Sequence, residues 1–176
     1  KKSYDLIGGH LETYNEVVED LALAKKIKSN NLKLNFSIAI DDISLNMYRD
    51  FNALVEGWSK NWFLGLDKNL LKSLSASLFV FFSYTFPWIL FLISVIQLTN
   101  TYNTRINFLT LLISFISIIS YGLKRLILKN KYNIPNDYWF LNSVGGIIVI
   151  YISFLSIYRT ITGNGWTWKG RKLHKS

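Results

Sequence analysis

The sequence predicts an α-helical membrane region of about three transmembrane helices, following the closing portion of an α/β head. Three observations carry that prediction. Three long apolar stretches without charge fill the second half. Charge is divided unequally: residues 1–72 hold ten Lys/Arg and ten Asp/Glu, whereas residues 73–176 hold ten Lys/Arg and only Asp137. The first half shows strand-like alternation beside helical periodicity.

In chain order, Thr13-Tyr14-Asn15-Glu16 matches a capping box at a helix start. Val17, Val18, Leu21, Ala24 and Ile27 then recur at helical spacing, with Lys25, Lys26 and Lys28 late in the helix and Asn30-Asn31 at its end. Leu34, Phe36, Ile38 and Ile40 alternate with Lys33, Asn35, Ser37 and Ala39, which predicts a half-buried strand. Asp41-Asp42 reads as a turn and Ile43–Tyr48 as a second short strand. From Asp50 a helix carries Phe51, Leu54, Val55, Trp58, Trp62 and Phe63, with aromatic and basic residues mixed as in a helix lying in the membrane interface. A domain of about seventy residues is marginal on surface-to-volume grounds. The expectation is that residues 1–72 complete a larger domain whose earlier part lies outside this chain.

Residues 73–158 form the membrane region, with spans expected at about 74–98, 106–123 and 138–158. Crossing the hydrocarbon core takes about 20 apolar residues, so the second is the shortest candidate. Trp88 lies mid-span, whereas Tyr102, Tyr138, Trp139 and Tyr158 sit near expected ends, where an aromatic belt belongs. Lys60, Lys68 and Lys72 precede the first span, and Lys124, Arg125, Lys129 and Lys131 follow the second. The positive-inside rule therefore predicts a multi-pass protein of the cell membrane with a cytoplasmic head. Three crossings would place the tail, residues 159–176, outside, although it carries Arg159, Lys169, Arg171, Lys172 and Lys175. Either the tail is exported, or one segment re-enters the bilayer with Gly145-Gly146 as the break.

The basic residues lie between and after apolar stretches rather than on a stripe, so nucleic acid is not an expected partner; membrane lipid is. The chain has no cysteine and two histidines, which excludes thiolate metal sites and argues against a multi-histidine centre. None of the spans contains an internal ionisable residue, which disfavours an ion-coupled transporter.

Several stretches together resemble glycosyltransferase family 2, in particular its membrane-anchored, lipid-directed members. They are Tyr4-Asp5-Leu6-Ile7-Gly8-Gly9-His10, Glu19-Asp20-Leu21-Ala22-Leu23-Ala24, Met47-Tyr48-Arg49, Glu56-Gly57-Trp58-Ser59-Lys60-Asn61 and Trp168-Lys169-Gly170-Arg171. The resemblance spans the chain as the C-terminal half of such an enzyme. It implies that the head is the closing portion of a GT-A type domain. It implies an inverting transfer of sugar from a nucleotide-sugar donor to the hydroxyl of a lipid or polyisoprenoid acceptor. The family's Asp-x-Asp motif, which holds a divalent cation (Mg or Mn), does not occur here, and Asp41-Asp42 lacks the spacer. Donor and metal binding are therefore expected outside this piece, which would be inactive alone. A non-enzymatic membrane anchor or assembly subunit is the alternative.

The resemblance assigns the catalytic base to Asp20, supported by Glu19; helix-dipole stabilisation is the alternative meaning of that acidic pair. Arg49, Lys60 and Arg171 are candidates to stabilise the departing diphosphate, or are membrane-surface charges. Gly9 and His10 are candidates for the acceptor pocket, or form a plain turn. Trp58 is a candidate to stack on sugar or lipid, or an interfacial anchor.

Overall fold

A computed structural model describes residues 2–39, 42, 43, 45, 47–99 and 105–163, and the backbone of 167, 168, 171 and 172. Seven helices account for almost all of the regular structure among these residues. They are α1 (Lys2–Leu6), α2 (Glu19–Ser29), α3 (Phe51–Gly65), α4 (Leu70–Val80), α5 (Phe86–Thr99), α6 (Arg105–Tyr132) and α7 (Asn142–Thr162). A two-residue antiparallel ladder joins β1 (Thr167–Trp168) to β2 (Arg171–Lys172). Three continuous helical stretches are long and apolar enough to cross a membrane: Leu70–Thr99, Arg105–Tyr132 and Trp139–Thr162.

The head differs from expectation in two places. Thr13 does not cap a helix: it closes a 3-10 turn, Gly9–Thr13, and its hydroxyl donates to the His10 carbonyl at 3.4 Å. α2 starts later, at Glu19, without a side-chain cap. Its end is as expected, at Asn30, whose N–H bonds to the Lys26 carbonyl, with Asn31 in the left-handed region. The second difference is the strands. Residues 32–39, and 43, 45, 47 and 48 of the second stretch, belong to no ladder, while Ile40, Asp41, Ser44 and Asn46 lie outside the described residues. Alternation makes a chain suited to pair, but a strand needs a neighbour's N–H and C=O groups. Here the apolar side chains remain uncovered, with Phe36 98 % exposed.

α3 begins where the sequence places it. Asp50 is extended and its carboxylate accepts a hydrogen bond from the Ala53 N–H at 2.8 Å. Its end is a tight reversal: the Lys68 N–H reaches back to the Phe63 carbonyl at 2.9 Å, with Asp67 and Lys68 both at positive φ. Asn69 then caps α4 through the Lys72 N–H at 2.9 Å.

The chain divides into two compact units. One comprises residues 1–73 and 152–176. In it α3 packs on the C-terminal part of α7, where the Phe63 N–H donates to the Ser156 hydroxyl at 2.9 Å. Arg159 Nη1 donates to Ser59 Oγ at 2.6 Å, and Ser73 Oγ lies 3.1 Å from Ser153 Oγ. The backbone of β1 also lies against α3.

The second unit, residues 74–151, holds the rest of the spans. A five-residue π turn, Phe81–Thr85, precedes Pro87. Proline cannot donate to the carbonyl four residues back and its ring crowds that group, so the helix widens there instead of breaking. α5 and α6 run antiparallel, with Tyr84 against Tyr121 (4.8 Å between ring centroids) and Phe91 against Phe115 (6.2 Å). α7 is also antiparallel to α5. The Gly146 N–H bonds to Thr85 Oγ1 at 3.1 Å, and Trp139, one turn and more earlier, meets Trp88 at 6.1 Å. α7 is unbroken through Gly145 and Gly146. The break expected at these glycines is absent, because Gly146 serves close packing instead: a Cβ there would sit 2.7 Å from the Phe81 Cα. Trp139, expected in an aromatic belt, packs on Trp88 and Gly122.

Burial in the spans is the reverse of a water-soluble core. Ser73, Ser77, Ser94, Ser114, Ser153 and Ser156 are buried, whereas Phe79, Ile106, Ile113 and Phe154 are 60–73 % exposed. Lipid tails do not drive large apolar side chains inward, and small residues let helices approach closely. The pattern fits a multi-pass membrane protein.

Candidate functional site

The head presents a cavity of about 560 Å³ between the segment before α2, α2 itself and the end of α3. Its walls include Glu12, Val17, Leu21, Lys25, Leu64 and Asp67, and Thr160 of α7 closes one side. Two ion pairs hold these walls in place. Lys26 donates to Glu12 at 2.6 Å, fastening α2 to the 3-10 turn. Lys25 pairs with Asp67, fastening α2 to the reversal after α3, and Lys72 reaches the same carboxylate at 3.4 Å. The hydrogen bond from Lys26, then its charge, holds the Glu12 carboxyl below the usual range. Hydrogen bonds from Lys25 and then Lys72 lower that of Asp67 in the same way.

The residues singled out by sequence fall in several places. Glu19 and Asp20 are exposed at the first turn of α2, outside the cavity wall, and the Asp20 carboxylate accepts from its own helix at the Leu21 N–H, 2.7 Å away. Gly9 is buried with φ 58°, and a Cβ there would strike the Tyr4 ring at 2.6 Å, so the close approach needs glycine. The Tyr4 hydroxyl lies 2.6 Å from His10 Nδ1 and accepts the His10 N–H at 3.0 Å. Gly9, His10 and Tyr4 line a second, open cleft with Leu11 and Tyr14.

Arg49 is exposed just ahead of the Asp50 cap. On α3, Trp58 is 44 % exposed, with its ring 6.2 Å from that of Trp62, and Lys60 is half-buried. Arg171 stands opposite Trp168 in the ladder, while Lys169 and Gly170 lie outside the described residues.

Two of these stretches lie on elements that touch. The Glu56–Asn61 helix and the Trp168–Arg171 ladder are about a hundred residues apart in sequence, yet β1 lies against α3. The helix that carries the acidic pair, α2, is tied to the end of α3 by the ion pair of Lys25 with Asp67. Sequence reasoning missed the residues that make the junction: Ser59, Ser156, Arg159 and Thr160. Their signal was the spacing of Ser153, Ser156, Arg159 and Thr160, which puts small or polar groups on one stripe of an apolar helix.

Among the described residues, no group of three or more His, Asp or Glu is placed to hold a metal ion. No model of a known protein family matches this chain, and neither does any curated protein or solved structure.

Proposed function

We propose that this chain is the acceptor-side, membrane part of an inverting glycosyltransferase acting on a lipid or polyisoprenoid hydroxyl at the cell membrane, with its head in the cytoplasm. The supporting observation is the contact of α3 with both the end of α7 and β1, elements that carry two of the resembling stretches. On this reading residues 1–72 close a GT-A type domain, and the nucleotide-sugar and its cation are held by residues outside this chain.

In the reaction the acceptor hydroxyl oxygen attacks the anomeric carbon, the bond from that carbon to the diphosphate breaks, and the hydroxyl proton passes to the Asp20 carboxylate. Glu19 supports that carboxylate. Arg49, Lys60 and Arg171 offset the charge gathering on the leaving diphosphate. Gly9 and His10 border the acceptor, and Trp58 offers a ring face to sugar or lipid. The assay is transfer of labelled sugar to membrane lipid by the parent enzyme. Asp20→Asn is expected to slow transfer by about 10²–10⁴-fold; a wild-type rate would remove Asp20 from the mechanism.

A second reading, a non-enzymatic anchor or assembly subunit, is favoured by the uncovered row Leu34, Phe36, Ile38, Ile43, Leu45 and Met47. It expects a protein partner to shield that row while Asp20→Asn changes nothing.

A further inference from the structure

We infer that the chain crosses the membrane fully only twice, and that the segment from Asn133 into α7 is re-entrant, so that the head and the basic tail share one face of the bilayer. The inference stands on packing and charge and does not depend on the glycosyltransferase reading.

The first argument comes from the unit that holds both chain ends. α3 precedes the first apolar stretch, the last turns of α7 end the third, and β1 follows it. Yet Arg159 bonds to Ser59 at 2.6 Å, Phe63 to Ser156 at 2.9 Å, and β1 lies on α3. A bilayer cannot lie between groups in contact. The number of full crossings is therefore even, although three helices are long enough to span.

The second argument comes from the other unit alone and identifies the exception. α6 and α7 are both antiparallel to α5, so these consecutive helices point the same way. Two successive full crossings in one direction would need a connection that recrosses about 30 Å of hydrocarbon. Asn133–Tyr138 is six residues long, and six extended residues reach only ~20 Å. The connection doubles back beside α6 instead. Arg125 Nε donates to the Pro135 carbonyl at 3.0 Å, and the chain arrives at Trp139 next to Gly122. Gly122 lies ten residues before the end of α6, a rise of about 15 Å. Trp139 also rests on Trp88, in the middle of the first apolar stretch, so α7 starts within the depth of that stretch.

Charge agrees with both. With two crossings, Lys60, Lys68 and Lys72, the four cations at the end of α6 and the five of the tail all lie on one side, leaving Arg105 on the other.

The test uses the absence of native cysteine. Lys28→Cys, Asn103→Cys, Lys129→Cys and Ser176→Cys are made singly in the full chain and treated with a membrane-impermeant maleimide in sealed vesicles of known orientation. Expected is labelling of positions 28, 129 and 176 from one side and of 103 from the other. Labelling of position 176 from the side that labels 103 would overturn the inference. As a reading independent of labelling efficiency, Ser73→Cys/Ser153→Cys is oxidised. Loss of both free thiols is expected from hydroxyls 3.1 Å apart, and persistence of both thiols would overturn the packing of the end of α7 against the start of the first apolar stretch, and with it the inference.

Discussion

The Arg159 guanidinium donates to the Ser59 hydroxyl at 2.6 Å, and the same hydroxyl donates to the Glu56 carbonyl at 3.1 Å. Ser59 is fully buried, so its oxygen both accepts and donates with no help from water. This one serine ties the last turns of α7 to the middle of α3, across a hundred residues of sequence.

The first prediction isolates that tie. Ser59→Ala and Arg159→Ala should each destabilise the protein, and the double variant should lose less than the sum. A hydrogen bond to a charged group contributes about 1.5–3 kcal/mol, so a coupling of about 1–2 kcal/mol is expected in a double-mutant cycle. Chemical unfolding in detergent micelles measures it. Strict additivity would show that the two side chains stabilise the helices separately.

Neighbouring glycines should behave oppositely. A Cβ at Gly146 would stand 2.5 Å from Thr85 Oγ1 and 2.7 Å from the Phe81 Cα, whereas nothing lies within 4 Å at Gly145. Backbone at the π turn has little room to move, so Gly146→Ala should cost about 1–3 kcal/mol, as overpacking does. Gly145→Ala should be neutral or stabilising by up to about 1 kcal/mol through helix propensity. Thermal melts of the two variants, followed by circular dichroism, decide this; equal melting shifts would contradict the close contact.

The ion pairs at the cavity give α2 a dependence on pH. Glu12 and Asp67 both have folded-state pKa values lowered, chiefly by hydrogen bonds from Lys26 and Lys25. Their stabilisation is therefore complete above the unfolded carboxylate values near about pH 4 and is lost as pH falls through the lower folded-state values. Amide exchange in Glu19–Ser29, corrected for its intrinsic pH dependence, should accelerate on acidification. Asp67→Asn should bring much of that acceleration to neutral pH, and raised salt should act in the same direction because the pairs are exposed.

The three apolar helices and the start of α3 at Asp50 were legible in sequence because each is a local matter, decided by hydropathy or by the residues of one turn. The direction of α7 was not. Hydropathy reads the same for a helix pointing either way, and the tail's charges opposed a simple count of three. Only the contacts of Gly146 and Arg159 resolve it. The alternation from Leu34 to Ile40 was read as a strand, but pairing depends on a neighbour that no local pattern specifies. Thr13 shows the same limit at short range: its box pattern was present, yet it closes a 3-10 turn and α2 begins only at Glu19. Of the candidate site, the closeness of α3 to the Trp168 ladder was beyond any spacing rule, since two segments a hundred residues apart meet by tertiary packing alone.

The seam of buried serines has a consequence for descent. Ser73, Ser153 and Ser156 sit where one helix touches the next, and the fit there is set by a single methylene and a hydroxyl. Few replacements have that volume. Phe79, Ile113 and Phe154, by contrast, are exposed and touch no surface of fixed shape in this chain, so any residue of similar hydropathy should serve there. As copies of this gene diverge, drift should therefore run fastest through the bulky apolar positions and slowest through the small polar ones. An ancestry traced through its serines would stay recognisable after the hydrophobic spelling of the helices had been rewritten.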